Sequence, residues 1–159
     1  MQQYEVVVYG GTAGGIVAAI SAARAGAVVV VLEPTDHLGG MVTGGLGRTD
    51  IGVGASIGGI AAEFYRRVHQ HYSTPAAWKF QQRQEFLGTG KESSRLISGD
   101  QWWLHEPSVA STIFRQMLAE ARVRVLTAHR LAGVEKRGPR IVSIRCGNGA
   151  VFTGRVFID

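Results

Sequence analysis

Cysteine is almost absent from this sequence: Cys146 is the only one in 159 residues. That excludes an internal disulfide, a Cys-x-x-Cys redox pair and a four-cysteine iron–sulfur site built from this stretch. Redox chemistry would have to come from an organic cofactor. Cys146 itself reads as a half-buried packing thiol at a strand end, without a partner to activate it. No apolar run approaches the roughly 20 residues that span a bilayer. Ahead of Val6 the chain carries no basic segment, and the first apolar run is too short for a signal peptide, so a cytoplasmic protein without membrane partners is expected. Lys and Arg number 17 against 12 Asp and Glu, a formal net charge of +5. The basic residues are scattered, with no block of five or more, which argues against a nucleic-acid partner. A positive field does favour capture of an anionic dinucleotide.

Catalytic constellations are missing too. No Ser-His-Asp pattern, pair of catalytic carboxylates or metal motif stands out, so the metal expectation is none and the catalytic residues are unknown. Of the five histidines, His69 and His71 are two apart and cannot share a helix face as ligands, so exposure is expected for both. His105 and His129 stand alone, and His37 falls in a glycine-rich loop. Internal repeats and low-complexity tracts are absent.

What is present is a chain of ordinary globular make-up, 45% hydrophobic and 18% charged. It is long enough for one domain that buries roughly 70% of its unfolded surface. Tyr4 to Tyr9 reads as a buried strand, Ala13 to Ala25 as an alanine-rich helix stopped at Gly26, and Val28 to Leu32 as a strand covered on both faces. Together they make a βαβ unit of about 30 residues. From Pro34 to Gly59 the glycines are too frequent for a regular element, and apolar residues interleaved among them favour a functional loop over a solvated linker. Ile57 to His71 has helical spacing, while Ser73 to Leu104 is expected to be irregular, with Trp78, Trp102 and Trp103 packing under loops or stacking on a ligand. Pro107 to Ala121 reads as a third helix and Val123 to Leu126 as a strand. Leu131 to Lys136, Ile141 to Cys146 and Ala150 to Phe152 form a three-stranded antiparallel meander with turn residues between them. A last strand, Val156 to Ile158, runs into Asp159, as though the domain were incomplete there.

The chemistry concentrates in the turn Gly10-Gly11-Thr12-Ala13-Gly14-Gly15. Gly10 and Gly15 occupy the first and last positions of G-x-G-x-x-G, and Thr12 stands at the middle one. In such a turn the first glycine permits a tight bend, the middle one lets backbone approach a pyrophosphate, and the last lets helix pack on strand. Here either Thr12 tolerates the close approach or Gly11 shares the work. The pyrophosphate would sit over the free amides at the start of the Ala13 helix, where the dipole favours an anion by about 0.3 to 2 kcal/mol. Glu33 follows Gly15 by close to the spacing of about 20 residues at which an acid accepts ribose hydroxyls. Its charge disfavours the extra phosphate of NADP. This unit alone serves FAD or NAD.

Residues 4 to 47 resemble the FAD-dependent oxidoreductases of the two-dinucleotide-fold type, most closely the bacterial family related to the flavoprotein subunit of heterodisulfide reductase. Two motifs carry the resemblance: Val8-Tyr9-Gly10-Gly11-Thr12-Ala13-Gly14-Gly15, and Glu33-Pro34-Thr35-Asp36-His37-Leu38-Gly39-Gly40-Met41 with the continuation to Gly47. It implies a Rossmann-like α/β FAD-binding domain, with FAD lying across the carboxyl ends of a parallel sheet and the meander serving as one crossover. It also implies that Gly39, Gly40 and Met41 bring backbone alongside the pyrophosphate and flavin, and that backbone near Leu131 meets the adenine. Pro34 follows the ribose acid in the same motif. The family continues past the last strand into further FAD contacts and a substrate domain, which residues 1 to 159 do not contain. An NAD-dependent dehydrogenase and a non-catalytic dinucleotide-binding fragment are the rival readings.

Overall fold

Valine runs build the first sheet. Side chains branched at Cβ suit an extended backbone covered on both faces, and β2 (Val6–Tyr9) and β3 (Val29–Leu32) follow that rule, every residue of β3 being buried. In the computed structural model, which describes residues 2–88 and 96–159, β2 and β3 are the central strands of a four-stranded parallel sheet. Its order is β10-β2-β3-β6, with β6 (Arg124–Leu126) and β10 (Val156–Ile158) at the edges. Val7 and Val30, Val8 and Val31, and Tyr9 and Leu32 stand in register. The four valines and Leu32 are fully buried, and each such side chain contributes about 1.5 to 3 kcal/mol.

Helix α1 (Ala13–Arg24) links β2 to β3 and buries Ile16, Ala19 and Ile20, spaced along one face. It ends as the sequence predicts. The amide of Gly26 donates to the Ala23 carbonyl and that of Ala27 to the Ala22 carbonyl, and Gly26 takes a φ of 95°. That is the paired-bond C-terminal cap in which glycine is the favoured residue. Helix α4 (Pro107–Glu120) closes with the same pair of bonds, Arg122 to Ala119 and Val123 to Leu118, but Arg122 occupies the left-handed position with φ 57°. A side chain there costs about 1 to 2 kcal/mol relative to glycine. Arg122→Gly should therefore raise stability by about 1 kcal/mol, read as a higher urea midpoint; a lower midpoint would show that the arginine side chain compensates for its backbone.

Between β6 and β10 the chain makes the expected antiparallel meander, β7 (Leu131–Arg137), β8 (Arg140–Cys146) and β9 (Val151–Thr153). A strand the periodicity missed joins it: β1 (Gln2–Gln3) pairs in parallel with β9, making this sheet four-stranded. The core of this part of the chain combines Val7, Val30 and Leu32 with Tyr4, Ile144, Cys146 and Phe152. Cys146 is 1% exposed, more deeply placed than half-buried, and burial pushes its thiol pKa up. A buried, protonated thiol is chemically inert.

The chain divides into two compact units, Met1–Met41 with Phe114–Asp159, and Val42–Ile113. The second holds α2 (Gly59–Tyr72), the short α3 (Arg83–Leu87), the hairpin of β4 (Ile97–Ser98) and β5 (Gln101–Trp102), and the start of α4. The segment Ser73 to Leu104 is thus more regular than its sequence implies, and residues 89–95 within it lie outside the described residues. The glycine-rich stretch is no tether. The Gly47 carbonyl accepts from the His105 amide at 2.7 Å, the Thr49 amide donates to the Trp103 carbonyl at 2.9 Å, and Arg48 bridges Leu104 between them. A Cβ on Gly47 would run into the His105 carbonyl oxygen. Trp102 and Trp103 are buried, each 1% exposed, as packing under loops requires. Among the described residues, no helix is long and apolar enough to cross a membrane.

Candidate functional site

Strand β2 hands over to α1 through a turn that has no room for side chains at two points. A Cβ on Gly15 would fall on the carbonyl oxygen of Gly10, and one on Gly11 would stand 2.5 Å from Leu38 Cδ2 and 3.0 Å from Glu33 Oε2. Gly10 itself has φ 102°. Thr12, at the position where a glycine is usual, is extended and caps the helix: its Oγ1 accepts the Gly15 amide at 3.1 Å. Gly11 gives room to the Leu38 and Glu33 side chains, while Thr12 is exposed and serves as cap. Gly14 is not needed for packing, since its Cβ would meet only Thr12 Oγ1, at 3.8 Å. Ala13 and Gly14 open the helix, so their amides lack intrahelical acceptors and sit at the positive end of the dipole.

Glu33 lies at the end of β3, 6% exposed. Its Oε2 accepts the Gly11 amide at 2.7 Å, and its Oε1 accepts both the Thr35 amide at 2.8 Å and the Thr35 hydroxyl at 2.6 Å. Burial by itself would raise the pKa. The Thr35 hydroxyl, the Thr35 and Gly11 amides and the nearby His37 ring outweigh that and hold the carboxyl below its ordinary value of 4.5. A carboxyl whose pKa is depressed in the folded state adds stability above the unfolded value, and that stability is lost as pH falls through the lower folded value. Thr35→Val removes one bond to the charged form and moves this loss toward higher pH. In melting curves recorded as a function of pH, the variant should lose stability earlier on acidification than the parent; superimposable acid limbs would remove Thr35 from this role.

The second predicted segment lies against the first. The Gly39 amide donates to the Gly11 carbonyl at 2.6 Å, Thr12 and Gly39 form an isolated parallel bridge, and a Cβ on Gly40 would lie 3.6 Å from Thr12 Cα. His37 Nε2 is 3.1 Å from the Gly40 carbonyl oxygen. Met41 is 73% exposed. Beyond Glu33 and Pro34, the Glu33 and Thr35 carbonyls accept the His129 and Ala128 amides, each at 2.9 Å. The Leu131 amide donates to Tyr9 Oη at 2.9 Å. The structure therefore gathers Gly10 to Gly15, Glu33, Pro34, Gly39, Gly40 and Leu131 around the carboxyl ends of β2 and β3, and leaves the Met41 side chain largely in solvent. Thr35, Leu38 and Tyr9 were not foreseen. Threonine two residues after an acid at a strand end is a turn signal that points to Thr35; Tyr9 had none, because its partner is distant in sequence.

His71 is exposed, and His69 is half-buried with its ring 6.4 Å from Trp102. No group of three or more His, Cys, Asp or Glu side chains that could hold a metal ion occurs among the described residues.

A parallel sheet, a glycine turn closed against a buried acid and a capped helix start with open amides define an α/β protein of the dinucleotide-binding class. The residues fit such a ligand, since the Ala13 and Gly14 amides at the start of α1 lack intrahelical acceptors and sit at the positive end of the helix dipole, where a pyrophosphate would be held. The chain belongs to the FAD-dependent oxidoreductase family: the sequence model of that family matches residues 5–159. FAD is accordingly its cofactor, and NAD the discarded alternative. None of the curated protein sequences matches. Among solved structures, the chain is similar to an L-amino acid deaminase from Proteus vulgaris, with TM-score 0.64 and 15% identity over 100% of this chain and 47% of the other. It is also similar to a 3-ketosteroid-delta4-(5alpha)-dehydrogenase from Rhodococcus jostii, with TM-score 0.57 and 16% identity over 99% and 45%. A flavin-containing monooxygenase from Stenotrophomonas maltophilia matches with TM-score 0.56 and 16% identity over 99% and 38%. These likenesses show a shared fold, and the chain spans less than half of each of the three.

Proposed function

We propose that this chain is the FAD-holding part of an oxidoreductase that acts on a small organic substrate and passes electrons to a separate acceptor. Gly10, Gly11, Thr12, Ala13, Gly14 and Gly15 would hold the pyrophosphate, with the Ala13 and Gly14 amides as donors. Glu33 would accept ribose hydroxyls, with Pro34 directing the chain away behind it. Gly39, Gly40 and Met41 would supply backbone on the opposite side, and the Leu131 backbone would meet the adenine. Bound FAD supplies the electron or hydride transfer. The chain's own part is to fix the cofactor's ADP half and to keep Glu33 ionised as an acceptor. Nucleic acid and membrane are not among the proposed partners, in keeping with the scattered basic residues; the proposed compartment is cytoplasmic, where the free Cys146 thiol stays reduced.

One observation carries this reading: the Gly11 amide donates to Glu33 Oε2 and the Gly11 carbonyl accepts the Gly39 amide, so a single glycine ties the turn, the acid and the second glycine segment together. The test is an absorbance spectrum of the purified chain after incubation with FAD and gel filtration. Retained visible flavin bands, displaced by excess FAD but not by NAD, are expected. A folded chain that elutes colourless would sink the assignment of these residues.

A further inference from the structure

The unit Val42–Ile113 contains a cavity that the cofactor reading does not use. It has a volume of about 390 Å³, and its lining includes Tyr72, Trp78, Phe86, Trp102, His105 and Glu106. The aromatic rings form one cluster. Trp78 lies 5.4 Å from Phe86 and 6.0 Å from Trp102, Phe86 and Trp102 are near-parallel at 6.4 Å, and Tyr72 stacks on Trp102 at 5.3 Å. At the same cavity Phe80 is 99% exposed, an apolar ring left in water.

Polar groups converge on this wall. Tyr72 Oη donates to Glu106 Oε2 at 3.0 Å and accepts the Glu106 amide at 2.9 Å, which orients the carboxylate. Burial pushes the Tyr72 pKa up to about 12, so the phenol keeps its proton and goes on donating. His105 is 5% exposed and sits edge-on to Phe64 at 5.6 Å. Its Nε2 faces the Val42 carbonyl at 3.2 Å, which assigns the proton to Nε2 and leaves Nδ1 a bare acceptor. Among the described residues Nδ1 is one of the buried side-chain atoms with no hydrogen-bond partner. Burial lowers the ring's pKa, partly offset by the Val42 carbonyl, so the ring is neutral near pH 7. A buried acceptor without a donor costs about 1 to 3 kcal/mol and calls for a partner.

We infer that this cavity is a binding site for a flat, mainly apolar organic molecule carrying a hydroxyl or amine donor, which the aromatic wall packs and His105 and Glu106 recognise. The volume lies within the range of small-molecule sites, and the composition, apolar walls with few convergent polar groups, is the usual one. Lys79 also lines the cavity. With the Glu106 carboxylate on the same lining, the cavity carries one charge of each sign.

The test uses the full chain and two probes of equal body, 2-naphthol and 2-methoxynaphthalene, the second lacking the donor. The indole N–H signals of Trp78, Trp102 and Trp103 report position, because Trp103 does not line this cavity. Expected are saturable shifts at Trp78 and Trp102 with Trp103 little changed, and about fivefold weaker binding of the methoxy compound. Equal affinity for the two probes would overturn recognition through a donor, and shifts absent from Trp78 and Trp102 would overturn the site. The result is independent of flavin retention, which is read in the visible bands of the same sample.

Discussion

Gly15→Val is expected to abolish FAD retention and to lower stability by about 3 kcal/mol or more. The cause is geometric. A Cβ at this position meets the Gly10 carbonyl oxygen, which is main chain and cannot rotate away, so the start of α1 has to lift from the exit of β2. That movement breaks the Thr12 cap and displaces the Ala13 and Gly14 amides together. Gly14→Ala is the matched control. Its surroundings are open and its backbone is helical, so alanine should leave stability unchanged or raise it by up to about 1 kcal/mol. Melting temperatures of the two variants, with flavin retention measured alongside, separate the cases. If valine at position 15 melts like the parent and stays yellow, the turn has been assigned the wrong role.

Glu33→Ala should cost about 1.5 to 3 kcal/mol in stability, because it strands the buried Gly11 amide and frees Thr35, both now bonded to a charged group. FAD affinity should fall as well, by about 1 to 3 kcal/mol, as the ribose acceptor disappears. Glutamine is no conservative substitute here. One carboxylate oxygen faces the Gly11 N–H and the other faces the Thr35 N–H, so whichever way the amide is turned, its NH2 confronts a donor. Glu33→Gln should therefore lose most of what Glu33→Ala loses, as measured by denaturant midpoint and by fluorescence titration with FAD. A glutamine variant with the parent's midpoint would mean that these bonds contribute little.

Much of this was legible because local rules and global fold agree along the first βαβ unit. Ala13–Arg24 and Val29–Leu32 fall within a residue of the boundaries read from glycine positions and valine runs, and Glu33 stands where the spacing places it. The meander was equally open, since Gly138-Pro139 and Gly147-Asn148-Gly149 mark its turns. What escaped had weak or non-local signals. Gln2–Gln3 carries no apolar alternation, and only pairing with β9 makes it a strand. Arg83–Leu87 is five residues long and is capped by Gln82, an uncommon residue for that position. The pairing of Gly47 with His105 depends on a backbone approach that glycine permits but does not announce. Thr35 and Tyr9 reach the site through contacts, one adjacent to Glu33 and one spanning most of the chain, that no single-sequence period encodes.

Residues Val42–Ile113 enter the chain between β3 and β6, strands that lie side by side in the parallel sheet. Closing a loop grows more expensive only with the logarithm of its length, about 0.6 kcal/mol for each doubling. Added length between β3 and β6 therefore costs little in closure entropy. The register of β3 with β6, and with it the position of Glu33, is set by their own pairing and not by the length of chain between them.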